Sequence, residues 1–380
     1  MKVAYVTPFY NGGCEGRFGR FHDWLHTLRD MDNPPFEFDV HAVMAANPDG
    51  TLASTPSEWL GAGDELYGTK RNNLQYLSEI RRIRRDLRES HPDVVHPIAF
   101  DVLLLPSVLG TGEDVPMVLG PNVGGWFPIR EDDIWFDDLT DRVRHRAKYL
   151  IRKGIVPRLD CERVCAFSQY HRRMLELIGV RQSEITILRP GVDGKFSPEP
   201  DPETPNPPYE LLYVGALSDH KGYPLFLRAV SQLETDIRVR VVGGGDPRRS
   251  LLRSLGLTNI VSVEGFVKRE DLPKFYRSAD LFVLPTRDET AGTNTQFESL
   301  ACGTPVVATD SDAISEFGRG KSVNYFWPRK PAALATAIEA TLSEISEATQ
   351  AARDDHHEYS ALRTVEQLEN LYAEVGKNKG

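Results

Sequence analysis

Apolar residues along this chain gather in short strand-length stretches, some of them, such as 281–284, without a polar break. In the first half the runs lie at residues 3–6, 39–42, 94–96, 116–119, 163–166 and 184–188. In the second half they lie at 210–214, 238–242, 260–263, 281–284 and 305–308. An unbroken run suits a strand covered on both faces, as in a parallel sheet. Between the runs come small-residue turns and stretches of helical spacing, among them 18–29, 80–88, 142–158, 295–302 and 358–375. Strand, turn and helix in repeated succession predict an α/β protein with two doubly wound parallel sheets. The stretch 197–208, SPEPDPETPNPP, separates the halves, because prolines so dense exclude helix and central strand alike.

Composition narrows this picture. A chain of 380 residues is long for one core and comfortable for two domains. With 40% hydrophobic and 26% charged residues it reads as an ordinary globular protein. A net charge of -10 speaks against a general nucleic-acid binder. Cys14, Cys161, Cys165 and Cys302 show neither paired CxxC spacing nor nearby histidines, so no zinc site and a reduced, intracellular protein are expected. The apolar start at 3–6 is too short for a leader, and the 102–105 region falls far short of the ~18 apolar residues of a span. A cytoplasmic protein is expected, at most peripheral on the inner face of a membrane.

The densest chemistry lies at 276–310, YRSADLFVLPTRDETAGTNTQFESLACGTPVVATD. It reads as strand, acidic glycine-bearing turn, short helix and second strand. The turn therefore lies at the carboxyl end of a strand, where open α/β sheets bind ligands. The N-terminus of the helix 295–302 offers N–H groups to an anion, and Thr293 and Asn294 just before it are counted among the donor-binding residues. Glu289 and Glu298 suit hydroxyls, since a carboxylate accepts from a vicinal diol with both oxygens. Phosphate plus diol describes a nucleotide sugar; the bland alternative is a solvated loop.

The run Glu298-Ser299-Leu300-Ala301-Cys302-Gly303-Thr304-Pro305-Val306-Val307 resembles the signature of family-4 retaining glycosyltransferases of the GT-B fold. The resemblance covers nearly the whole chain. It implies two Rossmann-like domains, 1–195 on the acceptor side and 209–356 on the donor side, facing across a cleft. It also implies a terminal helix, 357–380, that returns to the first domain. By the same resemblance Glu298 holds the donor ribose and Glu289 the donor sugar. Eight residues separate the two where the family has seven, and Thr290 stands where strict alignment puts the acid.

Other motifs extend the resemblance. Gly215, Ala216, Lys221 and Gly222 stand where the family holds the donor diphosphate with an arginine and a lysine. Lys221 matches the lysine, but Ala216 replaces the arginine; His220 and Arg287 are the nearest substitutes along the chain. Gly243 opens a glycine turn at the nucleotide site, and Gly265, Phe266 and Val267 form the loop whose backbone meets the nucleobase. Gly12 and Gly13, with Asn122, Gly124 and Gly125 of G-P-x-x-G-G, are acceptor-side loops. His96, closing P-D-V-V-H, is a candidate catalytic residue at the mouth of the cleft, against the plainer reading of a packed histidine. Asp310-Ser311-Asp312 follows a strand of the wrong architecture for a metal-binding DxD, so no metal is expected.

The expected activity is retaining, metal-independent glycosyl transfer from a UDP- or GDP-linked sugar, with no cofactor. The acceptor is expected to be a glycan or lipid-linked hydroxyl. Arginine-rich amphipathic segments at 80–88 and 142–158 suggest peripheral contact with an anionic membrane, against a solvated helix face. The rivals are a non-catalytic GT-B sugar-nucleotide sensor or assembly subunit, which Ala216 favours, and a nucleotide-sugar epimerase, which has no need of the E-S-L-A-C-G-T-P-V-V run.

Overall fold

The computed structural model describes residues 1–11, 19–46, 73–99, 115–121, 149–200, 204–286, 293–318 and 320–377. The chain divides into two compact units, Met1–Pro190 with Leu362–Gly380, and Gly191–Ala361.

In the first unit six strands are described: β1 (Lys2–Asn11), β2 (Glu37–Ala46), β3 (Val94–Pro97), β4 (Val118–Leu119), β5 (Arg163–Ala166) and β6 (Ile185–Ile187). They pair in parallel in the orders β2-β1-β3 and β4-β5-β6. A parallel bridge from Val95 to Met117 joins the two sets. Helices α1 (Gly19–Asp30), α2 (Asn73–Ser90) and α3 (Gln169–Leu177) belong to this unit.

The second unit holds one parallel sheet of β7 (Tyr209–Val214), β8 (Ile237–Val242), β9 (Val261–Gly265), β10 (Leu281–Leu284), β11 (Val306–Thr309) and β12 (Val323–Phe326). The order is β12-β11-β10-β7-β8-β9. The chain winds outward in opposite directions from the adjacent β7 and β10, so the carboxyl ends of these two strands form the topological switch point. Helices α4 (Tyr223–Val230), α5 (Arg249–Ser254), α6 (Leu272–Ser278), α7 (Asn294–Ala301), α8 (Pro331–Ser343) and α9 (Ile345–Asp355) follow the strands.

The unbroken apolar run of β10 has a direct cause. In β10, Leu281 and Val283 enter a core with Phe226 of α4 and Ile338 of α8. Their neighbours Phe282 and Leu284 enter the opposite core with Phe275 of α6 and Phe297 of α7. Successive side chains point to opposite faces, and both faces are dry.

Three details depart from the sequence reading. Strand β12 was not expected, since Asn324 interrupts its apolar run. The Asn324 amide is satisfied sideways by Ala337 O at 3.2 Å and Thr341 Oγ1 at 3.0 Å. The units divide at Gly191, ahead of the proline-rich stretch. That stretch begins as part of the second unit, where Arg277 donates to Ser197 O at 2.7 Å and Arg353 to Glu199 O at 2.7 Å. The terminal helix α10 (Ala361–Lys377) starts later than expected, because His356–Tyr359 is a 3-10 turn and Tyr359 packs in the second unit's core.

Candidate donor site at the switch point

Backbone geometry builds the floor of the site. The ends of β7, β8 and β9 are laced together: Gly215 N–H donates to Val242 O at 2.9 Å, Gly243 N–H to Gly265 O at 2.8 Å, and Leu217 N–H to Gly244 O at 2.9 Å. Gly243 has φ +147°, and a Cβ there would lie 1.9 Å from Gly215 O. Only glycine lets the two turns come this close. The Tyr213 hydroxyl donates to Ala216 O at 2.8 Å, closing the turn from within.

The turn feeding α4 is seated on β10. Gly222 caps the helix with φ +75°, and a Cβ there would meet Pro285 O at 2.1 Å. This contact draws Lys221 and the N-terminus of α4 to the carboxyl ends of β7 and β10. Lys221 is half-buried, its N–H bonded to Ser218 Oγ at 3.2 Å, while Ala216 is exposed. Two guanidinium groups that spacing did not nominate are anchored at the same turn. Arg248 pairs with Asp219 at 3.0 Å, and Arg329 donates to Pro285 O at 2.8 Å. His220 is exposed in this turn.

Across β10, Thr293 caps α7, its hydroxyl accepting from Gln296 N–H at 3.1 Å. Asn294 is the first residue of the helix, so its end faces the carboxyl edge of the sheet. Glu298 lies one turn further on and is only 3% exposed. Arg269 donates to its Oε1 through Nε at 3.1 Å and Nη2 at 3.0 Å, and the Tyr276 hydroxyl to its Oε2 at 2.9 Å. Burial and the neighbouring Glu298 carboxylate hold the Tyr276 phenol protonated, well above its ordinary pKa. At the end of β9 the Phe266 side chain is 60% exposed, while Val267 packs partly into the core.

Gly215, Lys221, Gly222, Gly243, Gly265, Phe266, Val267, Thr293, Asn294 and Glu298 thus all lie at one edge of one sheet. Glu289, Arg287, Gly12, Gly13, Asn122, Gly124 and Gly125 lie outside the described residues. Asp310 and Asp312 stand exposed after β11, and among the described residues no group of three metal-ligating side chains gathers. Arg269 and Tyr276 went unnoticed in sequence. A cation just after the Gly265-Phe266-Val267 loop was the signal for Arg269; nothing in the spacing marked Tyr276.

His96 requires a correction. It is fully buried, and both ring nitrogens are engaged. Nε2–H donates to Gly120 O at 2.7 Å, so Nδ1 accepts from the Tyr372 hydroxyl of α10 at 2.6 Å. The Tyr5 hydroxyl lies 3.1 Å from that of Tyr372. With no nitrogen turned to solvent, His96 is a tie between β3 and α10 rather than a catalytic group. Burial pushes its pKa down to about 3. The folded state therefore keeps His96 neutral where the unfolded chain, at its ordinary pKa near 6.5, takes up a proton. This contribution is complete above about pH 6.5 and is lost as pH falls toward 3. Between pH 7 and pH 5 the wild type should lose about 2 kcal/mol more unfolding free energy than a folded His96→Gln variant. Urea unfolding of both proteins at the two pH values measures this; equal losses would place the titration elsewhere.

Residues 208–344 match the family model of glycosyl transferases group 1, and residues 36–196 that of glycosyltransferase family 4. Mannosylfructose-phosphate synthase of Agrobacterium fabrum is 27% identical over 311 residues, 75% of this chain and 66% of that protein. A D-inositol 3-phosphate glycosyltransferase of Nocardiopsis dassonvillei is 34% identical over 159 residues, 36% of this chain and 37% of that protein. The chain spans less than two thirds of the length of these curated relatives. Among solved structures, a Rickettsia africae glycosyltransferase superposes with a TM-score of 0.72 at 16% identity, covering 99% of both chains. Anabaena HepE, in complex with UDP and glucose, gives 0.69 at 15% identity, covering 98% of this chain and 100% of that one. These likenesses define the class as GT-B, an α/β fold of Rossmann-like sheets. With family matches on both halves, the chain belongs to the family-4 glycosyltransferases.

Proposed function

We propose that the protein is a retaining glycosyltransferase that moves a sugar from a nucleoside-diphosphate donor to a hydroxyl acceptor. The observation that carries this reading is the convergence at the β7/β10 switch point. A glycine-seated helix N-terminus with Lys221 stands on one side of β10, and the α7 N-terminus with Glu298 on the other. Helix ends and an ammonium suit a diphosphate, and a carboxylate suits a ribose. In this reading the backbone after β9 meets the base, Glu298 accepts from the ribose, and Glu289 orients the sugar. Lys221 and the helix N-termini stabilise the departing diphosphate without a metal ion. Arg248 and Arg329, each already engaged with another partner, add only part of the positive charge that Ala216 lacks. The acceptor attacks from the face that the leaving group vacates. The UDP bound by HepE makes a uridine donor the first to try. Incubating the purified protein with single nucleotide sugars and assaying nucleoside diphosphate release tests the activity. Release from one donor supports it; silence with every donor and acceptor favours the sensor reading, to which the exposed Ala216 gives its footing.

We further propose a membrane-bound acceptor, a polyprenyl-linked glycan or glycolipid. In the helical residues 149–155, Leu150 is 59% and Ile151 46% exposed, beside Arg152 and Lys153. Helix α2 turns Arg81, Arg85 and Arg88 outward over buried Ile80, Ile83 and Leu87. Part of that charge is spent within the helix, since Arg82 and Arg85 both reach Asp86, at 3.1 and 3.4 Å. No helix among the described residues is long and apolar enough to cross a membrane. Cosedimentation should show binding to anionic but not neutral vesicles, weakening as salt shortens the Debye length from ~10 Å at 0.1 M to ~3 Å at 1 M. Replacing Leu150 and Ile151 with serine should abolish it. Equal binding to both lipids, or to neither, would point to a soluble acceptor.

A further inference from the structure

We propose that Arg269 and Tyr276 position Glu298 so that it reads one ribose hydroxyl of the donor instead of two. The inference rests on the donor-site reading above and adds two residues and a recognition rule to it.

Arg269 opens the 3-10 turn Arg269–Asp271, directly after the loop that carries Phe266 and Val267. Its guanidinium lies 5.0 Å from the ring centroid of Phe196 and reaches Glu298 with two N–H groups. Both donate to the same oxygen, Oε1. Tyr276, on α6, is fully buried with Phe196 and Phe282 edge-on to its ring, at 6.2 and 5.5 Å between centroids. That packing aims its hydroxyl at Oε2. The side chain of Arg269 is 15% exposed and that of Glu298 3%.

Acceptor capacity then sets what Glu298 reads. An ionised carboxylate offers about four lone-pair sites, two on each oxygen. Arg269 occupies both sites on Oε1, and Tyr276 one of those on Oε2. A vicinal diol commonly engages a carboxylate through both oxygens. Here one site remains, on Oε2, and it accepts one hydroxyl. A buried ion pair with a merely structural role could be exchanged for apolar side chains with little change in what the pocket recognises. This pair alters recognition because it consumes acceptor sites at the ligand.

The test is titration calorimetry of the full chain with UDP, 2′-deoxy-UDP and 3′-deoxy-UDP, or the guanosine series if GDP binds instead. For the wild type, one deoxy analogue should bind about tenfold or more weakly, the loss of one hydrogen bond to a charged group. The other should bind within about threefold of the parent nucleotide. In Arg269→Met, Oε1 is released and both deoxy analogues should lose affinity. Tyr276→Phe frees a site on Oε2 while keeping the cation, and should shift the pattern the same way if the Arg269 variant folds poorly. Equal penalties for both analogues in the wild type, or a pattern unchanged in a folded variant, would overturn the positioning role while leaving the donor site standing. Failure of the wild type to bind either UDP or GDP would overturn the donor-site reading and this inference with it.

Discussion

Lys221→Ala is expected to lower turnover about 100-fold or more, the cost of removing one transition-state donor from a developing anion. The expectation follows from what surrounds the residue. Gly222 is pressed onto Pro285 O, so the turn cannot drift from the switch point. Ala216, exposed in the same turn, has no charge to share the task. Arg248 is already paired with Asp219, and Arg329 with a backbone carbonyl, which divides their charge with other partners. The loss should therefore fall mainly on kcat, and Ala216→Arg should recover part of it in the same background. Steady-state kinetics of the three proteins decide the matter. A Lys221→Ala enzyme with near-normal turnover would mean that the diphosphate is held elsewhere.

Glu298→Gln should act on two quantities at once. Donor binding should weaken by about 1.5–3 kcal/mol, the worth of a hydrogen bond to a charged group. Unfolding free energy should fall by about 3 kcal/mol, since removing one partner of a buried ion pair strands the other. The stranded group is Arg269, held between Phe196 and an amide that no longer balances its charge. Calorimetry below the onset of unfolding and urea titration separate the two effects. Unchanged donor affinity in a folded variant would leave Glu298 as a structural carboxylate alone.

Much of this fold was legible in sequence because its strands are covered twice. Leu281–Leu284 reads as one apolar run since its alternate residues serve separate cores. Strand β12 escaped notice because a single asparagine, satisfied by α8, breaks the pattern. The position of Glu298 was legible from its motif, but its environment was not. Arg269 stands 29 residues away in sequence, and only the return of α6 and α7 to adjacent places on one face joins them. His96 shows the same limit more sharply. The residue that buries and bonds it, Tyr372, follows 276 residues later, so a histidine at a strand end read as an open site. Glycine turns were visible as turns; that Gly222 sits against Pro285 and Gly243 against Gly215 required the sheet order.

The central claim is that the carboxyl edge of the six-stranded sheet is a nucleoside-diphosphate site. Titration of this chain with UDP and with GDP, repeated on Lys221→Ala and Glu298→Gln, tests it most directly. The account predicts saturable 1:1 binding of one nucleotide, weakened by each substitution. Binding of neither nucleotide, or binding that both folded variants retain unchanged, would contradict it.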